Sequence, residues 1–276
     1  MAPKKLPLRL MFLGDRRIAG EVLKLLHKVE FKNYFDLRVL VTGEELGAWC
    51  RTISATNLVV LRNDQRHAKR LESLIAEERI DILLSVQHNW ILPQRILEAV
   101  KGRAFNLHNA KLPEYKGYNS ISHALLNGEK RYHPTLHWMA EAVDSGPIAY
   151  EGDVPIASDD CAYSLYPKTV VEAVRIVCQL FDALKTGEGI PGKLMESRQG
   201  KFYKSSELSK LADVSAVKDP EELDRRVRAL FFPPLNAAYI WANGRRHYLV
   251  PERALEGGWR TSAPINQISG QINAPD

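Results

Sequence analysis

Cysteine is scarce in this 276-residue chain, which contains only Cys50, Cys161 and Cys178. Three cysteines so widely spaced form neither a disulfide framework nor a paired metal-ligand pattern. The sequence also lacks a His-Glu-x-x-His motif, so no metal cofactor is expected. Reduced thiols are the simplest interpretation, and we therefore predict a cytoplasmic protein.

Long apolar runs and a strong charge of one sign are likewise missing. No stretch approaches the length of a membrane span, and the apolar run from Leu8 to Leu13 is interrupted by Arg9 and is too short for a signal-peptide core. The net charge of +5 is small for a protein that coats nucleic acid. We thus expect neither a membrane nor a nucleic acid as a partner, and the hydrophobic content of 45% predicts a packed globular core.

Apolar runs alternate with amphipathic stretches through the first two thirds of the chain. The predicted strands span Leu8–Leu13, Phe35–Thr42, Asn57–Leu61, Ile80–Val86, Ala104–His108, Thr135–Met139 and Ala149–Ile156. The predicted helices span Ile18–Lys28, Leu46–Ile53, Gln65–Glu78, Pro93–Val100, Ile121–Leu126 and Ala162–Lys185. This alternation predicts an α/β fold over residues 1–190: a Rossmann-like, mostly parallel sheet with helices on both faces.

The C-terminal part of the sequence has a different pattern. Residues 205–260 contain a helical stretch, Pro220–Leu230, followed by two short apolar segments, Ala238–Trp241 and His247–Val250. Asn243-Gly244 between these segments is a strong hairpin signal. We predict a small second region of helix and β-hairpin here, and the last residues of the chain show no pattern.

Ligands of parallel sheets bind at the carboxyl ends of the strands, which singles out three segments: Gly14–Arg17, Ser85–Leu92 and His108–Asn119. The first lacks the Gly-x-Gly-x-x-Gly pattern, so a nicotinamide dinucleotide site is not expected. At the last, Asn106 and His108 project from the same side of a strand end. An amide that holds an oxyanion and an imidazole that accepts a proton suit acyl transfer to an amine, although two polar residues can also simply end a strand.

Further along, Val143-Asp144-Ser145-Gly146 forms an acidic turn about 36 residues after His108. Asp144 alone is readily explained as a turn residue. Together with Asn106-Leu107-His108 and the Leu112-Pro113 loop, however, this pattern resembles the folate-dependent formyltransferase family over roughly Leu8 to Lys185. The resemblance implies that Asn106, His108 and Asp144 form the catalytic trio and that N10-formyltetrahydrofolate is the co-substrate.

The resemblance also implies where folate binds. Trp90, Ile91 and Leu92 match positions that line the pterin pocket of the family, although a core role for Trp90 and Leu92 fits the sequence equally well. The loop after the trio's strand is the second implied folate contact. It comprises Ala110, Lys111, Leu112 and Pro113.

Within this family the chain is most similar to the sugar N-formyltransferases. The segments that carry this similarity are Tyr115–Ser120 with His137-Trp138-Met139, and Phe231-Phe232-Pro233-Pro234. The residues whose chemistry suits substrate binding are Lys116, Gly117, Tyr118, Asn119, Phe231, Phe232 and Tyr239. The acceptor implied is a nucleotide-diphosphate-linked amino deoxy sugar, a precursor of surface polysaccharide such as lipopolysaccharide O-antigen. For the two phenylalanines, packing of the C-terminal part onto the main domain is the alternative.

Two other functions stay open at this point. Five arginines between 225 and 246 favour methionyl-tRNA formylation, but the C-terminal part is too short for the extra barrel of the tRNA enzymes. A non-catalytic folate- or nucleotide-binding module has no need of the Asn106, His108 and Asp144 set. The apolar and aromatic residues beside Asn243-Gly244 further predict a homodimer built partly on that hairpin.

Overall fold

The computed structural model describes residues 7–53, 58–88, 90–195, 200–234 and 237–256. The strands are β1 Leu8–Gly14, β2 Phe35–Thr42, β3 Val59–Arg62, β4 Ile82–Val86, β5 Ala104–His108, β6 Tyr115–Gly117, β7 Arg131–Tyr132, β8 Thr135–Trp138, β9 Ile148–Glu151, β10 Val154–Pro155, β11 Lys201–Tyr203, β12 Tyr239–Ala242 and β13 Arg245–Tyr248. The α-helices are α1 Arg17–Leu26, α2 Glu44–Ile53, α3 Ala68–Glu77, α4 Gln94–Ala99, α5 Ser120–Leu126, α6 Ala162–Thr186, α7 Pro220–Leu230 and α8 Glu252–Glu256. Two 3₁₀ helices span Gln65–His67 and Ser205–Leu211. The patternless end of the chain lies outside the described residues.

The central sheet has the order β3-β2-β1-β4-β5-β8-β9. The first five of these strands are parallel, β8 runs antiparallel to them, and the edge strand β9 is antiparallel to β8 and so runs in the same direction as the first five. The predicted α/β class with a mostly parallel sheet is confirmed.

Both faces of this sheet are covered by helices. Alternating residues of β1 show why: Leu10 and Phe12 lie in a core with α1 and α6, and Met11 and Leu13 lie in a second core with α3 and α4. A strand buried on both faces needs apolar residues at every position. The burial of Leu10, Met11, Phe12 and Leu13 therefore explains the apolar run seen in the sequence.

Most predicted elements are found within a residue or two of their expected ends, and β2, β5 and α7 match to the residue. The predicted strand Ala149–Ile156 is instead two strands in different sheets: β9 joins the central sheet and β10 pairs with β7. The break falls at Gly152, whose N–H donates to Pro134 O. The predicted hairpin is present as β12 and β13, with positive φ at both Asn243 and Gly244, as its two-residue turn requires.

A short parallel pair, β6 with β11, has no counterpart in the predictions. It joins the segment after the Leu112-Pro113 loop to a segment more than eighty residues later. Gly117 and Gly200 permit the close approach, because a Cβ atom would lie 2.4 Å from Tyr203 O at the first and 2.3 Å from Pro113 O at the second.

Two smaller apolar clusters lie outside the central sheet. One contains Tyr115, Tyr203 and Ala229, and so draws on both predicted regions. The other contains Val214, Leu230 and Ala238 and belongs to the C-terminal part alone. The division into residues 1–190 and 205–260 stays a prediction. Of the helices in the described ranges, none combines the length and the apolar character that a membrane crossing requires.

Acidification is expected to destabilise this fold through His123 on α5. The side chain is 5% exposed and stacks on Tyr203, with ring centroids 3.9 Å apart. Burial lowers the pKa of His123 from 6.5 to about 4. Between these values the unfolded chain binds a proton that the folded chain excludes, so the free energy of unfolding falls as the pH drops through this window.

Urea unfolding measures this loss, which we expect to be about 2 kcal/mol between pH 7 and pH 5. The variant His123→Phe keeps an aromatic ring and removes the titrating group, so its loss should be smaller by that amount. An equal loss in both proteins would show that His123 is not responsible.

Candidate active site

The carboxyl ends of β1, β4 and β5 lie side by side at one edge of the sheet. Gly14 is in register with Val86, and Ser85 is in register with Asn106. The three segments singled out by the strand-end rule therefore converge, and the polar residues of β5 lie at their centre.

Asn106 and His108 point to the same side of β5, where both are half-buried. The antiparallel neighbour β8 places His137 directly opposite Asn106. The Asn106 amide Nδ2 lies 3.0 Å from His137 Nε2 and 3.4 Å from Asp144 Oδ1. Two strands and one loop thus bring two histidines, an amide and a carboxylate together.

His137 is a site residue that sequence reasoning did not assign. Its Nδ1 lies 2.8 Å from the carbonyl oxygen of Trp138, and because a carbonyl only accepts, Nδ1 carries the proton. In the neutral ring, Nε2 then accepts a hydrogen bond from Asn106, which fixes the orientation of the amide. The alternating pattern of β8 indicates which side of the strand His137 occupies. Only the register between β5 and β8 shows that this side faces Asn106.

The protonation of the His108 ring follows from the same reasoning. Nε2 lies 2.7 Å from the backbone oxygen of Tyr115, so Nε2 is the donor. Nδ1 is the nitrogen left free to accept a proton, and it lies 3.7 Å from Asp144 Oδ2. A carboxylate at this distance stabilises positive charge on the ring.

Asp144 lies in the loop between β8 and β9 with φ of +49°, a left-handed conformation that aspartate and asparagine adopt more readily than most residues. Its side chain is 10% exposed. Burial raises the pKa of the carboxyl group, but the nearby His137, whose Nε2 lies 3.6 Å from Asp144 Oδ1, and the charges of His108 and Lys116 outweigh burial and lower the pKa overall. The carboxylate is therefore ionised near neutral pH.

The segments that the resemblance assigns to folate differ in accessibility. Ile91 is 64% exposed, whereas Trp90 is half-buried and Leu92 packs in the core with α3 and α4. In the loop after β5, Ala110 and Leu112 are buried. Lys111 is exposed and forms an ion pair of 2.8 Å with Glu114, and Pro113 follows directly. Leu92, Ala110 and Leu112 thus offer almost no surface to a ligand.

The expected substrate residues 116–119 follow on β6 and its extension. Lys116 is close enough for its charge to lower the Asp144 pKa. Gly117 pairs with Tyr203 on β11, and Tyr118 is exposed. The Asn119 amide donates to Ser205 O at 3.3 Å, so the C-terminal part holds this loop in place.

The aromatic residues expected to stack on a nucleobase are engaged elsewhere. Phe231 is 3% exposed and lies edge-on to Tyr163, so its ring offers no free face. Phe232 packs edge-on against Tyr163 and Tyr166 of α6, which agrees with the alternative that the two phenylalanines pack the C-terminal part onto the main domain. Tyr239 lies 4.6 Å from the Arg246 guanidinium, which occupies one face of its ring. Packing of the C-terminal part onto α6 thus accounts for the positions of Phe231 and Phe232, and the stacking role of Tyr239 stays a prediction.

In the described ranges, no three His, Cys, Asp or Glu side chains are placed to hold a metal ion. The chemistry available is that of an amide donor and an imidazole base that lie 3.4 Å and 3.7 Å, respectively, from the same ionised carboxylate. This set can hold an oxyanion and accept a proton from an attacking amine.

Comparison with known proteins connects this geometry to a family. The family model described as formyl transferase matches residues 36–180, just over half of the chain. The matched span contains β5, β8 and the loop that carries Asp144.

Two curated relatives align with the same part of the chain. GDP-perosamine N-formyltransferase of Brucella melitensis is 30% identical over 173 residues, which cover 61% of this chain and 64% of that protein. Methionyl-tRNA formyltransferase of Methylacidiphilum infernorum is 26% identical over 169 residues, which cover 61% of this chain and 52% of that protein. The chain thus matches less than two thirds of the length of these relatives.

Solved structures share the fold over more of the chain. A 4-N formyltransferase from Francisella tularensis superposes with a TM-score of 0.72 at 17% identity, covering 88% of this chain and 96% of that one. An N-formyltransferase from Helicobacter canadensis, solved in complex with folinic acid and dTDP-3-aminofucose, has a TM-score of 0.68 at 19% identity and covers 87% and 86%.

Proposed function

The chain belongs to the formyl transferase family, and we propose that it moves the formyl group of N10-formyltetrahydrofolate to the amino group of a nucleotide-linked amino deoxy sugar. The observation that carries the proposal is the convergence of Asn106, His108 and Asp144 at the carboxyl end of β5. A protein that only binds folate or a nucleotide has no need of an oriented amide, base and carboxylate at one point.

The proposed reaction uses all three of these groups. The neutral amine attacks the formyl carbon, a new C–N bond forms, and the bond to folate N10 breaks after the tetrahedral stage. The Asn106 amide has two N–H groups. One is held by His137, and the other makes only a 3.4 Å contact with Asp144, so it is available to the oxyanion.

His108 Nδ1 takes the proton that the amine loses, and Asp144 stabilises the charge on the ring. As the bond between N10 and the formyl carbon breaks, His108 returns this proton to the leaving N10, which completes the transfer. Tyr115 O keeps His108 in the required tautomer through its bond with Nε2.

The acceptor class rests on the relatives and on the loop beside the trio. The curated relative with the higher identity acts, by its name, on GDP-perosamine, and the Helicobacter structure holds a dTDP-linked amino sugar. Lys116 supplies a positive charge for a diphosphate, and Tyr118 and Asn119 supply hydrogen bonds for sugar hydroxyls. The folate sites proposed are Ile91, Lys111 and Pro113, and the buried Leu92, Ala110 and Leu112 support these segments from below.

The same proposal places the protein in the cytoplasm, in the supply of precursors for a surface polysaccharide. All three cysteines are free thiols in the structure, as expected in a reducing compartment. Release of tetrahydrofolate is the assay: it should require an amino sugar nucleotide, and release that proceeds equally without any acceptor, or never occurs, would favour the binding-module alternative.

Lys116→Ala is expected to weaken binding of the amino sugar nucleotide and to raise KM by about tenfold, because a charge-assisted contact to phosphate is lost. The change in kcat should be much smaller. Steady-state kinetics at fixed formyl-folate measure both. Lys130→Ala removes the same charge from an exposed position away from the trio and serves as the control. An unchanged KM for Lys116→Ala would remove this residue from the substrate site.

We also propose a homodimer that uses the aromatic face of the C-terminal hairpin, formed by Tyr239, Trp241, Arg246 and Tyr248. Trp241 and Tyr248 are half or more exposed, and a two-stranded hairpin is marginal without a partner surface. Trp241→Glu should convert the dimer to a monomer in light scattering. Arg245→Gln changes the charge by the same amount outside this face and should leave the dimer intact, whereas a dimer that survives Trp241→Glu would contradict the proposal.

A further inference from the structure

An open cavity of about 490 Å³ lies where α5, β11 and α7 meet. The site described above does not use it. Its lining is mainly charged and aromatic: His123, Leu126, Asn127, Lys201, Tyr203, Glu207, Lys210, Leu211, Glu222, Arg225 and Arg226. The volume is within the usual range for small-molecule sites.

The cavity and the catalytic trio lie on opposite faces of the β6–β11 strand pair. Tyr115 and Tyr203 stack on one side of the β6–β11 pair, with ring centroids 5.7 Å apart, and Tyr203 lines the cavity. Lys116, the next residue on β6, faces the opposite side and acts on Asp144. The cavity and the trio are therefore separate sites on two sides of one ribbon.

Positive charge dominates the lining. Four cationic side chains face two carboxylates, which leaves an excess of two positive charges. Arg226 is paired with Glu222 at 2.6 Å, but Lys201 lies 3.9 Å from Glu207. Lys210 forms no hydrogen bond or ion pair with any residue that the structure describes.

Arg225 is also only weakly engaged, since its partner Glu221 is 3.5 Å away and exposed. Exposed pairs of this kind contribute little. Lys210 thus presents a charge to the cavity without an ion pair among the described residues, and the Arg225 charge is only weakly paired.

A buried histidine adds an unmet hydrogen-bonding group. His123 is 5% exposed, and its Nε2 is buried without a partner among the described residues. Burial lowers the pKa of His123 to about 4, so the ring is neutral near pH 7 and able to donate or accept one hydrogen bond. An unpartnered buried polar atom of this kind costs free energy unless a ligand or water satisfies it.

We propose that this cavity is a second ligand site that binds a small molecule carrying a diphosphate group. The excess of positive charge complements the negative charge of a diphosphate, and arginine and lysine side chains suit its oxygens. A single phosphate leaves most of the volume empty, whereas a diphosphate, alone or as part of a nucleotide, fills more of it.

The site is connected to the catalytic centre through one strand. Lys201 and Tyr203 line the cavity on β11, which pairs residue by residue with Tyr115, Lys116 and Gly117 on β6. Tyr115 O in turn holds His108. A ligand that orders β11 therefore also orders the backbone that supports His108.

Calorimetric titration with inorganic pyrophosphate tests the site. The double variant Lys210→Gln, Arg225→Gln should bind pyrophosphate about tenfold or more weakly than the unmodified protein. Lys218→Gln loses one charge on the exposed surface outside the cavity and should bind like the unmodified protein. Equal binding in all three proteins would overturn the proposal.

A nucleoside diphosphate in place of pyrophosphate identifies the source of the group. If the nucleoside diphosphate binds more tightly than pyrophosphate, and the double variant loses this binding, the ligand of the cavity is a nucleotide. If only pyrophosphate binds, the ligand is recognised by its diphosphate group alone. Affinity that the double variant retains belongs to another site.

Hydrogen exchange on the unmodified protein gives a test without any substitution. Pyrophosphate should slow exchange in residues 200–211, in residues 220–226 and, through β6, in residues 115–119. Protection confined to other segments would place the anion elsewhere and contradict the site.

Discussion

Replacing His108 by asparagine is expected to reduce kcat for formyl transfer by about a hundredfold or more, the effect of losing a positioned base. The free His108 Nδ1, 3.7 Å from the Asp144 carboxylate, is the only ring nitrogen not engaged by Tyr115 O. Asparagine can preserve a hydrogen bond to that oxygen but cannot accept the proton. Rapid-quench kinetics at saturating substrates measure the chemical step directly.

Two companion variants make this result specific. Asn106→Ala removes the oxyanion donor and should cost a similar factor, while both variants should still bind formyl-folate. His27→Asn makes the same chemical change beyond the far end of α1 and should keep full activity. A His108→Asn enzyme with near-normal rates would refute the assigned role of the base.

The second large effect is expected for Asp144→Asn, which should lower kcat by about a thousandfold. The substitution removes the charge that stabilises protonated His108 and places an amide N–H₂ beside that of Asn106. Asparagine also adopts the left-handed backbone conformation found at residue 144, so the loop itself should not be strained.

Because asparagine can adopt the backbone conformation of residue 144, a fall in kcat reports the lost carboxylate and not a distorted loop. The neighbouring Ser145→Ala variant removes only a hydrogen bond to Ala142 O and serves as the matched control. If Asp144→Asn and Ser145→Ala have equal and small effects on kcat, Asp144 is a turn residue and not part of the catalytic group.

The fold was predictable at positions where a local residue pattern is compatible with only one local structure. The continuous apolar run of β1 requires burial on both faces, and Asn243-Gly244 requires a hairpin turn. Asn106 and His108 were predictable as neighbours because a strand places residues i and i+2 on one side.

Other features depend on long-range pairing that no local pattern specifies. The β6–β11 ribbon joins three-residue strands that are far apart in sequence. Gly117 and Gly200 are needed there because Tyr203 O and Pro113 O leave no room for a Cβ atom, and this requirement is visible only in the folded chain. The position of His137 opposite Asn106 needs the register of two antiparallel strands. Phe231 looked suited to a ligand, yet burial against α6 decides its position.

The most direct test of the central claim is the mass of the acceptor after one turnover. The protein is mixed with N10-formyltetrahydrofolate and, in separate reactions, with nucleotide-linked amino sugars and with methionyl-tRNA. The account predicts that at least one amino sugar nucleotide gains the mass of one formyl group, at a rate that depends on His108 and falls only gently with added salt, because few phosphates are neutralised. Formylation of methionyl-tRNA with no product from any amino sugar nucleotide would contradict it.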